Sequence, residues 1–342
     1  MSLPGSAKVE RGPSFADRLR TWRERGTPGW AIVARKELAD HLLSVRFTVL
    51  VAILGLVAIG ATYAVASGIR DAATEASEVP ALFLRLFTFE PAEGVPSFLS
   101  MVGFLAPLLG IAFGFDAVNG ERAQGTLPRL VSQPIHRDDV INGKFVAGLA
   151  VIGATLLALM LVIAGIGLLR LGIVPSGADI WRMLFWWALT LVYVGFWLGL
   201  AVLCSVALRR AATSALVAIA SWLVLTLFAG ILFGLAADLL SPLPEQPLPQ
   251  EELANARMEQ RLQRLSPTTL YEEATLALLR PEIKSFRLQL FNPLDQSNIP
   301  TGTLSLDQSL IVALPQTVGL VALTVLLFAA AYVLFMRQEI RA

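Results

Sequence analysis

The chain has 342 residues, 55% of them hydrophobic and only 15% charged, and its net charge is +1. Soluble domains carry about 25% charged residues, so this composition excludes an ordinary water-soluble globule, and the even charge balance leaves no electrostatic footprint for nucleic acid. A single cysteine, Cys204, excludes internal disulfides and a cysteine metal cluster.

Residues 1–29 are rich in arginine and have no apolar run, so they do not read as a signal peptide. Ser14 and Asp17 have the spacing of a capping box, with Phe15, Leu19 and Trp22 on one face of the helix that follows. Gly26 and Pro28 end it. Trp30, Val33, Leu38, Leu42 and Val45 then mark a second apolar face, opposite Arg35, Lys36 and Asp40. Because this segment runs straight into an apolar stretch, it suits a helix lying in the membrane interface. The competing reading is an amphipathic helix packed on another protein.

Crossing about 30 Å of hydrocarbon takes about 20 apolar residues. Six stretches qualify: 47–69, 96–115, 145–169, 183–206, 211–236 and 309–336. None contains Asp, Glu, Lys or Arg; each such charge at a helix centre costs ~2.5–3.5 kcal/mol on insertion scales. Arg209 and Arg210 divide the fourth stretch from the fifth. The expectation is an all-α polytopic protein with six transmembrane helices. The cations near the spans favour both termini inside. Arg35, Lys36, Arg46, Arg122, Arg129, Arg137, Lys144, Arg209, Arg210, Arg337 and Arg341 then face the cytoplasm, and the loop 69–97 outside is net acidic.

Between the fifth and sixth spans lies a long connection, 237–308. It opens on Pro242, Pro244, Pro247 and Pro249, continues as a charged helix over 250–265, and restarts at Ser266-Pro267 with a helix that Pro281 ends. This spacing predicts a small helical subdomain outside the membrane, too small to bury much core alone.

Chemical motifs are scarce. There is no nucleophile elbow, zinc-protease motif or metal-spaced cluster, and His41 and His136 read as surface histidines. No span carries a carboxylate for proton relay. That disfavours an ion-coupled secondary transporter without eliminating it, since backbone carbonyls bind sodium. Gly143-Lys144-Phe145 is the nearest approach to a phosphate-binding loop. Asp138 and Phe145 stand where that motif needs Gly and Ser or Thr. Any ATP use therefore belongs to a partner, and no cofactor is expected. Glu272, Glu273 and Asp295 would be available to an enzyme or scaffold with an active outer domain; a solvated helix surface explains them more simply. The pairs Gly110/Gly114, Gly195/Gly199 and Gly230/Gly234 allow close helix approach, within the bundle or at a dimer seam.

The most informative segment joins the second and third spans. Thr126 is placed to cap a short helix with Pro128 in its first turn, and Leu127, Leu130 and Val131 share a face. Gln133-Pro134 ends it, and the run from His136 to Asp139 opens the third span. A short apolar knob on a charged stalk fits a groove on a partner; an ordinary interfacial or re-entrant loop is the plainer reading.

Glu121-Arg122, Gly125-Thr126-Leu127, Ser132-Gln133-Pro134-Ile135, Arg137 and Gly143-Lys144 together resemble the type-2 ABC transporter permeases. The likeness is strongest to the branch that includes the permeases of nitrous-oxide reductase maturation and of gliding motility. Ala34-Arg35-Lys36-Glu37-Leu38 with Ser44-Val45-Arg46-Phe47 is similar to the family's interfacial elbow helix, and Phe335 to Arg341 resembles its closing segment. The resemblance implies a permease half of an ATP-driven transporter, an exporter, in a bacterial or archaeal plasma (inner) membrane. Residues 1–29 would be a cytoplasmic extension and 30–342 the transmembrane domain. Its partners would be a separate ATP-binding subunit and a second permease copy, identical or paralogous. Glu121, Arg122, Gly125, Thr126, Leu127, Leu130 and Pro134 would contact the ATP-binding subunit through a coupling helix, and Arg35, Lys36, Glu37 and Arg46 would belong to the elbow. Pro128 departs from the helix-forming residue usual in the family.

Overall fold

The computed structural model describes residues 28–71, 82–89, 96–126, 136–244, 248–281 and 304–338. Regular structure among them is helical throughout. In chain order the helices are α1 (Gly29–Leu42), α2 (Val45–Asp71), α3 (Leu82–Thr88), α4 (Phe98–Gly114), α5 (Asn119–Ala123), α6 (Arg137–Leu171) and α7 (Gly177–Ala207). They continue with α8 (Ala211–Leu223), α9 (Ala229–Leu240), α10 (Pro249–Gln263), α11 (Pro267–Leu279) and α12 (Leu306–Arg337), and a π turn at Val224–Phe228 joins α8 to α9. The helix expected over 14–25 and the apolar knob at 127–135 lie outside the described residues.

Among the described residues, five helical paths are long and apolar enough to cross a membrane: Phe98–Ala123, Arg137–Leu171, Gly177–Ala207, Ala211–Leu240 and Leu306–Arg337. Helices α1 and α2 supply a sixth when taken together, with a bend of 64° between them at the break after Leu42. The first apolar stretch read from the sequence lies within α2, and α1 runs off at an angle from it. The bend falls where Ser44 interrupts the helix: its Oγ donates to the His41 carbonyl at 2.8 Å and accepts from the Phe47 N–H at 3.1 Å. A side chain that competes in this way for backbone groups ends one helix and caps the next.

Helix α7 is the central pillar. In its most apolar window 78% of the residues are buried, against 17% for Ala211–Leu240 and for α12. Trp186, Tyr193 and Trp197 are fully enclosed along it. Helix α4 lies directly on α7 because Gly110 and Gly114 remove the side chains between them. A Cβ at Gly110 would stand 2.9 Å from the Val194 carbonyl oxygen, and one at Gly114 2.9 Å from that of Leu198. By contrast Leu216, Leu227, Ile231 and Leu239 project from α8, the π turn and α9, and Ile311, Val318 and Leu326 from α12. This outer surface is suited to hydrocarbon, where apolar exposure carries no penalty.

The end of the bundle reached by the starts of α4, α7 and α12 is closed by α11. Its Ser266-Pro267 start and Pro281 boundary match the sequence signals, but the helix does not stand off from the spans. Tyr271 stacks on Tyr193 at 4.2 Å, and its hydroxyl accepts from Trp186 Nε1 at 3.1 Å. Glu273 is buried, accepting from Arg264 Nε at 2.9 Å and Gln316 Nε2 at 2.9 Å. Arg182, buried at the start of α7, donates to the Leu278 carbonyl, the Ser309 hydroxyl and the Leu304 carbonyl, each at 2.7 Å. The segment is too short for a core of its own and packs into that of the bundle. Its N-terminus meets the π turn, where Ser266 Oγ donates to the Leu225 carbonyl at 3.1 Å.

Candidate functional site

At the opposite end of the bundle, around Arg137 and the C-termini of α4, α7 and α12, charged side chains from distant parts of the chain converge. Helix α1 brings Lys36, Glu37 and Asp40; the turn after α4 and the short α5 bring Asp116 and Glu121; α6 brings Lys144. Helix α1 reaches α6 because residue 143 is glycine: a Cβ there would stand 2.7 Å from the Trp30 carbonyl oxygen and 2.7 Å from Val33 Cβ. The Gly143-Lys144 pair, which resembles part of a phosphate loop in the sequence, has a packing and pairing role.

Lys144 Nζ donates to Glu37 Oε1 at 2.7 Å and to Glu121 Oε1 at 3.4 Å, with the Lys144 and Glu37 side chains 7% and 9% exposed. Burial on both sides makes this pair structurally consequential, because neither charge could remain there alone. Lys36 closes the outer side, 3.4 Å from Glu37, 3.3 Å from Asp40 and 3.9 Å from Glu121. Burial works against charge on Lys36, but Glu37, Asp40 and Glu121 outweigh it and hold its ammonium above the ordinary value. Thr126 Oγ1 donates to the Glu121 carboxylate and to its carbonyl. Gly125, with φ of 67°, makes the left-handed turn that lets it reach back. Lys36, Glu37, Asp40, Glu121 and Lys144 line a cleft of about 300 Å³.

Arg46 pairs with Asp116, Nη1 to Oδ2 at 2.6 Å, and lies over the Phe115 ring at 4.8 Å. Arg122 turns the other way, donating from Nη2 to Gln338 Oε1 at 2.6 Å. Gln338 donates in turn to the Val206 carbonyl at 2.6 Å, and Arg137 Nη2 to the Gln338 carbonyl at 2.9 Å. Both described flanks of the segment 127–135 are thus fastened to the bundle. The leading flank is tied to α1 and α6 through Glu121 and to Gln338 through Arg122, and the trailing flank to the ends of α7 and α12 through Arg137 and Gln338.

Of the candidate residues, the structure brings together Lys36, Glu37, Glu121 and Thr126, sets Arg46 beside them, and sends Arg122 to the last helix. Arg35 is exposed on α1. Leu127, Leu130 and Pro134 lie outside the described residues. Three participants escaped the sequence reading. Asp116 carried no motif. Gln338 sat in a segment noted only for its overall likeness. His41 was read as a surface residue, yet its ring packs on Phe113 at 4.5 Å. Pairings separated by 70 to 216 positions leave no local signal.

Comparison with known proteins agrees with this architecture. The family described as ABC-2 family transporter protein matches residues 31–340. The probable ABC transporter permease protein NosY of Stutzerimonas stutzeri is 30% identical over 156 residues, covering 45% of this chain and 49% of that one. Its namesake from Pseudomonas aeruginosa is 34% identical over 129 residues, covering 37% and 42%. The chain thus spans about half the length, or less, of these curated relatives. The family match extends from α1 to the C-terminal segment and takes in both the charged cluster and the apolar helices, so this multi-pass helical membrane protein belongs to the ABC-2 family of transporter proteins.

Proposed function

We propose that the chain is the permease subunit of an ATP-driven exporter. A separate ATP-binding subunit supplies the hydrolysis, and two permease copies, identical or paralogous, form the pathway across a bacterial or archaeal inner membrane. Both termini face the cytoplasm, residues 1–29 extend there, and 30–342 form the transmembrane domain. The observation that carries this reading is the anchoring of the two described flanks of the segment 127–135. One flank is tied through Glu121 and Lys144 to α1 and α6, the other through Arg137 and Gln338 to α7 and α12. Flanks fixed this way would transmit a push or pull on the segment between them to several spans at once, as a rigid-body switch requires. Leu127, Leu130 and Pro134 at the tip, with Glu121, Arg122, Gly125 and Thr126 at its root, form the contact with the ATP-binding subunit. Arg35, Lys36, Glu37 and Arg46 form the elbow that bears the load.

The test is co-purification with an ATP-binding subunit and stimulation of its ATPase. Leu130→Asp places a charge on the apolar face of the tip and is expected to abolish association, with the permease still extracted as a folded protein. If association and stimulation both survive, the loop is not the coupling element. Transport that continues without ATP and follows an ion gradient would instead favour a secondary transporter.

A further inference from the structure

A second cleft, about 520 Å³ in volume, opens at the other end of the bundle between α4, the π turn and α11. Ser97, Ser100, Thr226 and Thr268 bring hydroxyl groups to its wall. Phe104 and Leu227 bring an apolar surface. The π turn has a direct part in this geometry. Thr226 lies within it, 3.4 Å from the Thr268 hydroxyl, and the Leu225 carbonyl is satisfied by Ser266. Such turns recur at functional sites because the extra residue redirects a side chain without ending the helix.

The cleft also holds a carboxylate that the fold does not explain. Glu273 is buried and satisfied by Arg264 and Gln316. Its neighbour Glu272 faces the cleft and has no hydrogen-bond or ion-pair partner among the described residues. Partial desolvation by the cleft wall pushes its carboxyl above the ordinary range. The other charged group on the lining, Arg280, donates to the Thr88 carbonyl at 3.0 Å. The other titratable group, Tyr271, is kept neutral by burial that pushes its phenol up to about 12. Glu272 is exposed on the cleft wall and has no counter-ion there among the described residues, so it is open to an ion pair with a cation supplied from outside.

We propose that this cleft binds a small amphipathic organic cation. Its ammonium lies on Glu272, its N–H groups on the hydroxyls of Thr226 and Thr268, and its apolar part against Phe104 and Leu227. A metal ion is a poorer fit, because among the described residues no three carboxylate, histidine or cysteine groups gather to hold one. Transport of this cation rests on the permease reading above, but binding itself does not. It is therefore measured on the chain alone, without an ATP-binding subunit, and failure at either site leaves the other open to its own test.

The experiment is titration of the full chain, in nanodiscs of phosphatidylcholine, with ethidium followed by fluorescence anisotropy against empty discs. Saturable binding is expected, and it tightens as pH rises, because the bound cation selects the ionised carboxylate. Glu272→Gln is expected to weaken binding about tenfold, as loss of a charge-assisted contact does, and to flatten the pH dependence. Glu272→Asp keeps the slope. Absence of saturable binding, or a Glu272→Gln variant with wild-type affinity and pH slope, overturns the proposal. Equal competition by the anionic dye anilinonaphthalene sulfonate also overturns it.

Discussion

At the residue scale, Lys144 shows how an isolated charge survives at the base of an apolar bundle. Its ammonium is almost wholly enclosed, with Glu37 at 2.7 Å and Glu121 at 3.4 Å as its acceptors. Removing one partner of a buried pair costs about 3–5 kcal/mol, reduced here because the half-exposed Lys36 stays 3.4 Å from Glu37. Lys144→Met is therefore expected to lower the thermal unfolding midpoint of the detergent-solubilised protein. Adding Glu37→Met should restore much of the loss, because the second change removes the stranded carboxylate. A single variant as stable as the wild type would mean that the pair holds nothing together. Both members lie in segments that the sequence singles out, yet their 107-residue separation hides the pairing.

At the element scale, the long connection after the fifth span illustrates how helix boundaries and helix placement have different causes. Ser266-Pro267 and Pro281 delimit α11 from local chemistry alone. Its position comes from Arg182, which the sequence presents only as a cation beside a span. That guanidinium joins the end of α11 to both the approach and the first turn of α12 through three acceptors. Hydrogen bonds to a charged group contribute about 1.5–3 kcal/mol each, so Arg182→Met should loosen α11 before anything else. Hydrogen–deuterium exchange is expected to accelerate over Pro267–Leu279 and to stay unchanged in α4 and α6. Unchanged exchange in α11 would show that the Tyr271 stack and the Glu273 pairs suffice to hold it.

For the whole molecule, the arrangement sets charges at one end and the α11 closure at the other, with α7 as the shared pillar. The proposed orientation, which follows the cation bias, puts the charged end in the cytoplasm. With Cys204→Ser as background, Arg210→Cys is expected to react with an impermeant thiol reagent only after the membrane is opened. Ser176→Cys should react in intact cells. The reverse pattern would invert the orientation and remove the charged cluster from the side where ATP is made available.

Length, hydropathy and helix punctuation in the sequence by themselves determined the helical membrane class, the approximate position of each span, the start and end of α11, and the segments that matter at the base. These properties are local: about 20 apolar residues must hydrogen-bond their own backbone in hydrocarbon, whatever surrounds them. Only the tertiary structure decided that Gly143 admits α1 to α6, that Lys144 joins Glu37 to Glu121, and that Gln338 ties the trailing flank of the loop to α7. It also decided that α11 sinks into the bundle and leaves Glu272 facing a cleft. Each of these depends on which groups meet across tens to hundreds of positions, and close packing and charge pairing select those meetings without marking them in the local sequence.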